Sequence, residues 1–281
     1  MTATDPPGGE HTSYVDLGDV TLFVHELGRR RPAQPSLLVL HGGPDIGHSY
    51  LLPGVRPLCT DHHVVLFDFR GCGRSSRQLP PEDLQPEYVI EDAHRLIRRM
   101  GLGRVDLLGF STGGRAAIRY LQEHPDDVNK IILASTSAYD GSENEPYLRG
   151  WDEYRRREIE RDAAGKLRNS TIFVWDLDLA PGYLAMINPL DEGDWSYQRH
   201  LDGRMHPWLI GDAEETLREA GKPILILHAD KDMGFPVQLA QRLHRAVPAS
   251  TLKIIPDAAH MCQYEKPELW ADHIRRFLTA D

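Results

Sequence analysis

One short stretch carries the strongest chemical signal in the chain. LLGFSTGG, Leu107 to Gly114, contains G-x-S-x-G with Gly109, Ser111 and Gly113. An apolar, strand-like run (RVDLLGF) precedes it and a helical pattern (GRAAIRYL) follows. A sharp strand-to-helix turn of this kind holds a serine in an unfavourable backbone conformation that only small neighbours tolerate. It lifts the hydroxyl clear of the sheet and puts the positive end of a helix beneath it. A serine hydroxyl is a weak nucleophile until a base takes its proton. Downstream, HADKDMGFP follows the apolar run KPILIL and offers Asp230 and Asp232. DAAHMCQYEKP follows STLKII and offers His260. A serine, a carboxylate and a histidine, each just past a strand, are the parts of nucleophilic acyl chemistry. Upstream, SLLVL (Ser36 to Leu40) runs into HGGPDIG, His41 to Gly47, a turn whose glycines can turn backbone N–H groups toward a cavity.

The elements that must position these residues follow an alternating pattern. DVTLFVHEL alternates like a half-buried strand. SLLVL, the run DHHVVLFDFRG, RVDLLGFS and VNKIILAST read as strands buried on both faces. VIEDAHRLIRRM places Val89, Ala93, Leu96, Ile97 and Met100 at helical spacing, and GGRAAIRYLQEH forms a second helix. This rhythm predicts an α/β fold with a mostly parallel central sheet flanked by helices. It pauses in residues 137–218, which are charged and Trp-rich, and resumes with KPILILHAD. The expected organisation is a disordered lead over residues 1–13, a core domain of residues 14–136 and 219–281, and a small helical cap insertion over residues 137–218. Such a cap would lie over the carboxyl edge of the sheet, where ligands sit in open α/β folds.

Composition narrows the partners. The 281 residues carry a net charge of −10 with no wide basic patch, which argues against nucleic acid or an anionic membrane surface. The longest basic cluster, Arg29 to Arg31, reads as a solvated loop. Three scattered cysteines form no disulfide framework or metal motif, and the opening MTATDPPGGEHT has no signal-peptide pattern. A cytoplasmic location is therefore expected, with no membrane span. His62 and His63 are adjacent and point to opposite faces, a poor metal pair. No metal and no cofactor are expected.

Over nearly the whole chain, from about Tyr14, these features resemble the α/β-hydrolase superfamily. The resemblance implies an acid in a G-x-x-D turn; Ala229 takes the glycine place and Asp232 the acid place, with Asp230 ordering the loop. It implies a triad of Ser111, Asp232 and His260. It also implies an oxyanion hole from the N–H of Thr112 and an N–H of the HGGP turn, Gly43 first and Gly42 as the alternative. His41 would brace that turn.

HGGP together with FDFRGCGRSS, where Asp68, Arg70, Gly71, Gly73 and Ser75 match D-x-R-G-x-G-x-S, is similar to the proline iminopeptidase (peptidase S33) branch. Three features depart from it. Asp45 stands where that branch has glycine, Phe110 and Thr112 flank the serine as in small esterases, lactonases and perhydrolases, and the cap is short. Asp45 could cap the turn or draw in a cationic substrate. Phe110, Trp151 and Trp175, with Gly42, are the candidate substrate contacts; Trp195 and Trp208 could also line an apolar pocket. An amine substrate would need cap carboxylates such as Glu143, Asp176 or Asp178. Buried Cys262, two residues past His260, needs no chemical role.

The expected function is a cofactor-independent serine hydrolase acting on an ester, lactone or amide in a small molecule or short peptide. C–C bond hydrolysis, lyase or perhydrolase chemistry with the same triad is the second reading. A non-catalytic binding module is the third. Ser111 in place of an aspartate disfavours haloalkane dehalogenase and epoxide hydrolase chemistry.

Overall fold

The computed structural model describes residues 9–43, 46–140, 143, 173–187 and 208–280. Eight strands form one sheet: β1 (Glu10–Asp16), β2 (Thr21–Leu27), β3 (Ser36–Leu40), β4 (Val64–Phe67), β5 (Val105–Phe110), β6 (Val128–Ala134), β7 (Ile224–Ala229) and β8 (Ser250–Ile255). The spatial order is β1-β2-β4-β3-β5-β6-β7-β8. β1 pairs antiparallel with β2, and β2 with β4; every pairing from β4 to β8 is parallel. Every residue of β3, β4, β5 and β7 is buried, as continuous apolar runs require in a sheet covered on both faces. The run Asp61–Gly71 forms strand only over Val64–Phe67, so His62 and His63 lie in the turn before it.

Two apolar layers flank the sheet. One gathers α1 (Pro86–Met100), α2 (Thr112–Glu123), α4 (Ala213–Glu219) and α5 (Val237–Ala246) around residues such as Leu96, Ala117, Leu217 and Leu243. The other holds Tyr50, Leu51 and Val55 from a helical stretch over residues 48–60, and Trp270 and Ile274 from α6 (Pro267–Thr279). α1 starts with proline in its first turn and stops at Gly101, whose left-handed conformation (φ 59°) lets its N–H cap the last carbonyls. Arg70, from the D-x-R-G motif, makes a two-pronged buried ion pair with Asp92 of α1, each contact 2.6 Å. Its place in the motif is thus explained by packing the loop after β4 against α1.

Two boundaries differ from the sequence expectation. Residues 10–13, expected within a disordered lead, belong to β1, in register with Val24 to Leu27. An edge strand needs little more than backbone pairing, here reinforced by Tyr14 edge-on to Phe23, so its polar composition hides it. Residues 1–8 lie outside the described residues. At the other boundary, Ala213 and Leu217 of α4 are buried in the core, which places the return to the core before residue 219. Between residues 137 and 212, the described pieces include α3 (Ala180–Ile187).

The connections that leave β3 and β5 diverge: β3 leads to β4 on one side and β5 to β6 on the other. At such a divergence the two carboxyl ends leave a crevice between their loops. The loops that leave β3 and β5 there are HGGPDIG and the Ser111 turn.

Candidate active site

Ser111 ends β5 and precedes α2 with φ 56° and ψ −125°, a conformation costing about 1–3 kcal/mol for a residue with a side chain. The turn is kept this tight by its glycines. A Cβ on Gly109 would stand 2.3 Å from the Gly113 carbonyl oxygen, and one on Gly113 would stand 2.2 Å from that of Leu40. The Ser111 N–H donates to Ala134 O and the Thr136 hydroxyl donates to Ser111 O, so the strained residue is held from β6 as well.

His260 sits in the turn after β8 and Asp232 in the turn after β7. His260 Nε2 lies 3.0 Å from Ser111 Oγ, and His260 Nδ1 lies 2.9 Å from Asp232 Oδ2. Asp232 is fully buried and its Oδ1 accepts the Phe235 N–H at 2.9 Å. Burial pushes its carboxyl upward, but the His260 ring beside it, with further help from His228 and the Phe235 N–H, holds it below the ordinary aspartate value. Asp230 is placed elsewhere: its carboxylate meets Lys231 Nζ at 3.0 Å and its N–H donates to Ile255 O. Three rings surround the imidazole of His260, with centroids at 5.3 Å (Phe110), 5.7 Å (Phe235) and 5.9 Å (Phe173).

The turn after β3 is braced from several sides. His41 Nδ1–H donates to Gly42 O at 2.7 Å, His41 Nε2 accepts the Phe69 N–H, and the imidazole stacks on the Phe69 ring. The Thr112 hydroxyl donates to Gly43 O at 2.9 Å. Gly43 is exposed and has φ 115°, a conformation that glycine adopts freely. Gly42 is buried, and its N–H donates to the Tyr50 hydroxyl at 2.7 Å. That donor is already used, which separates the two glycines that the sequence leaves as alternatives. The Thr112 N–H belongs to the first turn of α2, where amides have no partner within the helix.

The remaining sequence candidates fall in different places. Phe110 is fully buried, edge-on to Tyr50 and tilted under His260, so it supports the imidazole. Trp175 is half-buried, with Lys231 Nζ 5.5 Å from its ring centroid. Trp208 stacks on Phe69. Asp45, Trp151 and Trp195 lie outside the described residues. Cys262 is fully buried, its Sγ 3.4 Å from Ser135 Oγ, and burial pushes its thiol up to about 12.

Two contributors were not visible in the sequence. Tyr50 is one. The other is Glu265, whose Oε1 accepts the N–H groups of Trp175 and Asp176 and whose Oε2 accepts that of Ala259. Glu265 thereby ties the segment before α3 to the residue preceding His260. No local pattern marks either role, because each depends on a contact with another loop.

Among the described residues one group has donors for a metal ion: His94, His124 and Asp127. The two imidazoles lie stacked, 4.1 Å apart and 8° from parallel. Their nitrogen lone pairs lie in the ring planes and do not converge on a common point. Asp127 Oδ2 already accepts His94 Nδ1–H and the Tyr120 hydroxyl. The cluster also sits at the far end of α2 from Ser111, about 18 Å away along the helix. No helix among the described residues is long and apolar enough to cross a membrane.

Comparison with known proteins agrees with this architecture. Residues 35–267 match the family model described as the α/β hydrolase fold. A RutD protein of Caulobacter sp. (strain K31), named as a carbamate hydrolase, is 24% identical over 94% of this chain and 98% of its own length. The proline iminopeptidase of Saccharolobus solfataricus is 24% identical over 90% of this chain and 88% of its own. Among solved structures, a thermophilic esterase from Thermogutta terrifontis superposes with a TM-score of 0.70 at 26% identity, covering 95% of this chain and 98% of that one. The chain belongs to the α/β-hydrolase fold family, within which it resembles the proline iminopeptidase branch.

Proposed function

We propose that the protein is a serine hydrolase that cleaves an ester, lactone or amide bond through an acyl-enzyme. The observation that carries this reading is the position of His260, with Ser111 Oγ at 3.0 Å from one ring nitrogen and Asp232 Oδ2 at 2.9 Å from the other. In the proposed reaction His260 Nε2 accepts the Ser111 proton as Oγ attacks the substrate carbonyl carbon. The carbonyl π electrons move to oxygen, and the N–H groups of Gly43 and Thr112 stabilise that charge. The tetrahedral intermediate collapses as His260 gives its proton to the leaving group. A water molecule then repeats the sequence on the acyl-enzyme, and Ser111 is regenerated. Asp232 keeps Nδ1 protonated and stabilises the imidazolium formed in each half.

The rings of Phe173 and Phe235 beside His260 suit an uncharged, apolar acyl or leaving group. Phe173 and α3 belong to the segment proposed as a cap, and Glu265 is the buried carboxylate that docks this segment beside His260. The relatives act by name on three bond types: carbamate, peptide and ester. The bond therefore has to be read from substrates. p-Nitrophenyl esters of rising chain length, set beside N-terminal proline and alanine anilides, separate the classes. Ester turnover without anilide turnover is the expected result. A preference for the free N-terminal proline anilide would move the protein to the peptidase branch. A fluorophosphonate should label the wild type and leave Ser111→Ala unlabelled; a folded wild type that takes no label would remove Ser111 as the nucleophile.

A further inference from the structure

We propose that His25 and His48 together hold one proton more than two neutral imidazoles, and that this singly charged pair positions the turn that carries Gly42 and Gly43. Four side chains from four parts of the fold form one chain of contacts. Asp68 Oδ1, after β4, meets His48 Nδ1 at 2.7 Å. His48 Nε2 meets Nδ1 of His25, on β2, at 3.1 Å. His25 Nε2 meets Oε1 of Glu10, on β1, at 2.6 Å. Both histidines are buried, at 4% exposure for His25 and 0% for His48.

The charge follows from counting hydrogens. Each of the three contacts needs one hydrogen. The two end groups are carboxylates already committed as acceptors. Asp68 also takes the N–H groups of His48 and Arg74, each at 2.8 Å. Glu10 also takes the Arg56 guanidinium at 3.0 Å. Burial pushes each carboxyl up, but these donors and the histidines outweigh it and keep both below their ordinary values. Ionised carboxylates have no hydrogen to give, so the imidazoles must supply all three. Two neutral rings supply only two, which would leave one contact with an acceptor facing an acceptor. Two imidazolium rings supply four, which would set N–H against N–H between them. One imidazolium with one imidazole satisfies every contact.

The surroundings suit one charge and oppose a second. Around the pair stand Glu10 from β1, Arg56 from the helical stretch after the turn, Asp68 and Arg74 from the loop after β4, and His41 beyond Asp68. The Phe23 ring lies parallel to His48, with the Arg74 guanidinium 3.6 Å from its centroid. Burial, then repulsion from His48, lowers the proton affinity of His25, and Glu10 opposes them.

His48 opens the turn of helix that carries Tyr50, and the Tyr50 hydroxyl holds the Gly42 N–H. The residue before it, Gly47, packs so closely on Asp68 that a Cβ there would stand 2.4 Å from Oδ1. The pair therefore anchors the far end of the stretch that begins at Gly42. This accounts for Asp68 in the D-x-R-G motif, which the proposed reaction does not use. His48 and Asp68 are positioning residues: they act through Tyr50 and the turn. That positioning role rests on the serine-hydrolase reading, whereas the proton count does not.

Nitrogen-15 NMR of histidine-labelled protein at neutral pH reads the count directly. The expected result is three protonated nitrogens among the four of His25 and His48. Glu10→Gln is the discriminating variant. A glutamine amide can donate to His25 Nε2, so all three contacts close with two neutral rings, and the count should fall to two in a folded protein. Two protonated nitrogens in the wild type, or three in Glu10→Gln, would overturn the proposal.

For the positioning role, kcat on a p-nitrophenyl ester should decline on the alkaline side with KM unchanged, and Glu10→Gln should lack that decline. The same decline in both would sink the role. If neither protein turns over any ester or anilide and the folded wild type takes no fluorophosphonate label, the serine-hydrolase reading and the positioning role fail together, and the nitrogen count is judged on its own.

Discussion

Among the described residues, two of the buried histidine–aspartate pairs look alike at first contact. In His260–Asp232 and in His48–Asp68 the Nδ1 side faces a carboxylate, at 2.9 Å and 2.7 Å, and both carboxyls are held below their ordinary value by the histidine. They differ in what the second ring nitrogen meets. His260 Nε2 faces the hydroxyl of Ser111, which sits partly open at the crevice. His48 Nε2 faces another histidine inside the protein. In the reading proposed above, the first pair can pass a proton to a reacting atom and take it back. The second has nowhere to send one and can only hold charge. A histidine–aspartate pair is therefore not itself a catalytic signature; its third partner decides its use.

The largest expected effect separates the pairs by turnover. Asp232→Asn should lower kcat by about 10⁴-fold, because the amide leaves His260 in the wrong tautomer. Ser111→Ala should lose at least as much, and the double variant should be no worse than the worse single one. Asp68→Asn should be far milder in kcat once folded protein is compared. A loss as large as that of Asp232→Asn, in a folded Asp68→Asn protein, would break the distinction.

Stability should rank them the other way. Asp68 accepts two backbone N–H groups and the His48 ring, so Asp68→Asn removes the anion from a buried pair, at about 3–5 kcal/mol in urea unfolding. The pH dependence has a definite sign. Both aspartates bind protons more weakly folded than unfolded, where the ordinary value is 3.8. Their contribution is therefore fully present above that value and is lost as pH falls through the lower folded value. The acid side of the stability curve should be flatter in Asp68→Asn than in the wild type. An unchanged acid slope would show that Asp68 is not held ionised.

The two pairs were also unequally legible in the sequence. Ser111, Asp232 and His260 each sit in a turn just past a strand, so local pattern and chain order bring forward a serine, a histidine and two aspartates, and the family resemblance chooses Asp232 over Asp230. The second pair left no such trace. Glu10, His25, His48 and Asp68 come from an edge strand, its neighbouring strand, the helical stretch over residues 48–60 and the loop after β4, and only the folded sheet brings them together. The strand that carries Glu10 was itself hidden, because an edge needs backbone pairing more than apolar side chains. The Gly42 and Gly43 alternatives stayed open for the same reason: the Tyr50 hydroxyl that occupies Gly42 reaches across from a different turn. Where function rests on contacts between loops, residue types at fixed spacing carry little of it.

The smallest expected effect probes the link between the two pairs, which is Tyr50. Tyr50→Phe keeps the ring against Phe110 and removes only the hydroxyl that accepts the Gly42 N–H at 2.7 Å. That amide is buried, so losing its partner costs about 1–3 kcal/mol. The cost can appear as lower stability, or the turn can rotate so that Gly42 finds another acceptor and Gly43 shifts with it. The second outcome is a catalytic one. In the proposed reaction Gly43 bonds the developing oxyanion and makes no special contact with the ground-state substrate. A displaced Gly43 should therefore lower kcat, by about tenfold for 1.4 kcal/mol, with KM unchanged. A raised KM at constant kcat would instead make the turn a substrate-binding element. No change in either constant, with stability alone reduced, would disconnect the His48–Asp68 anchor from the chemistry at Ser111.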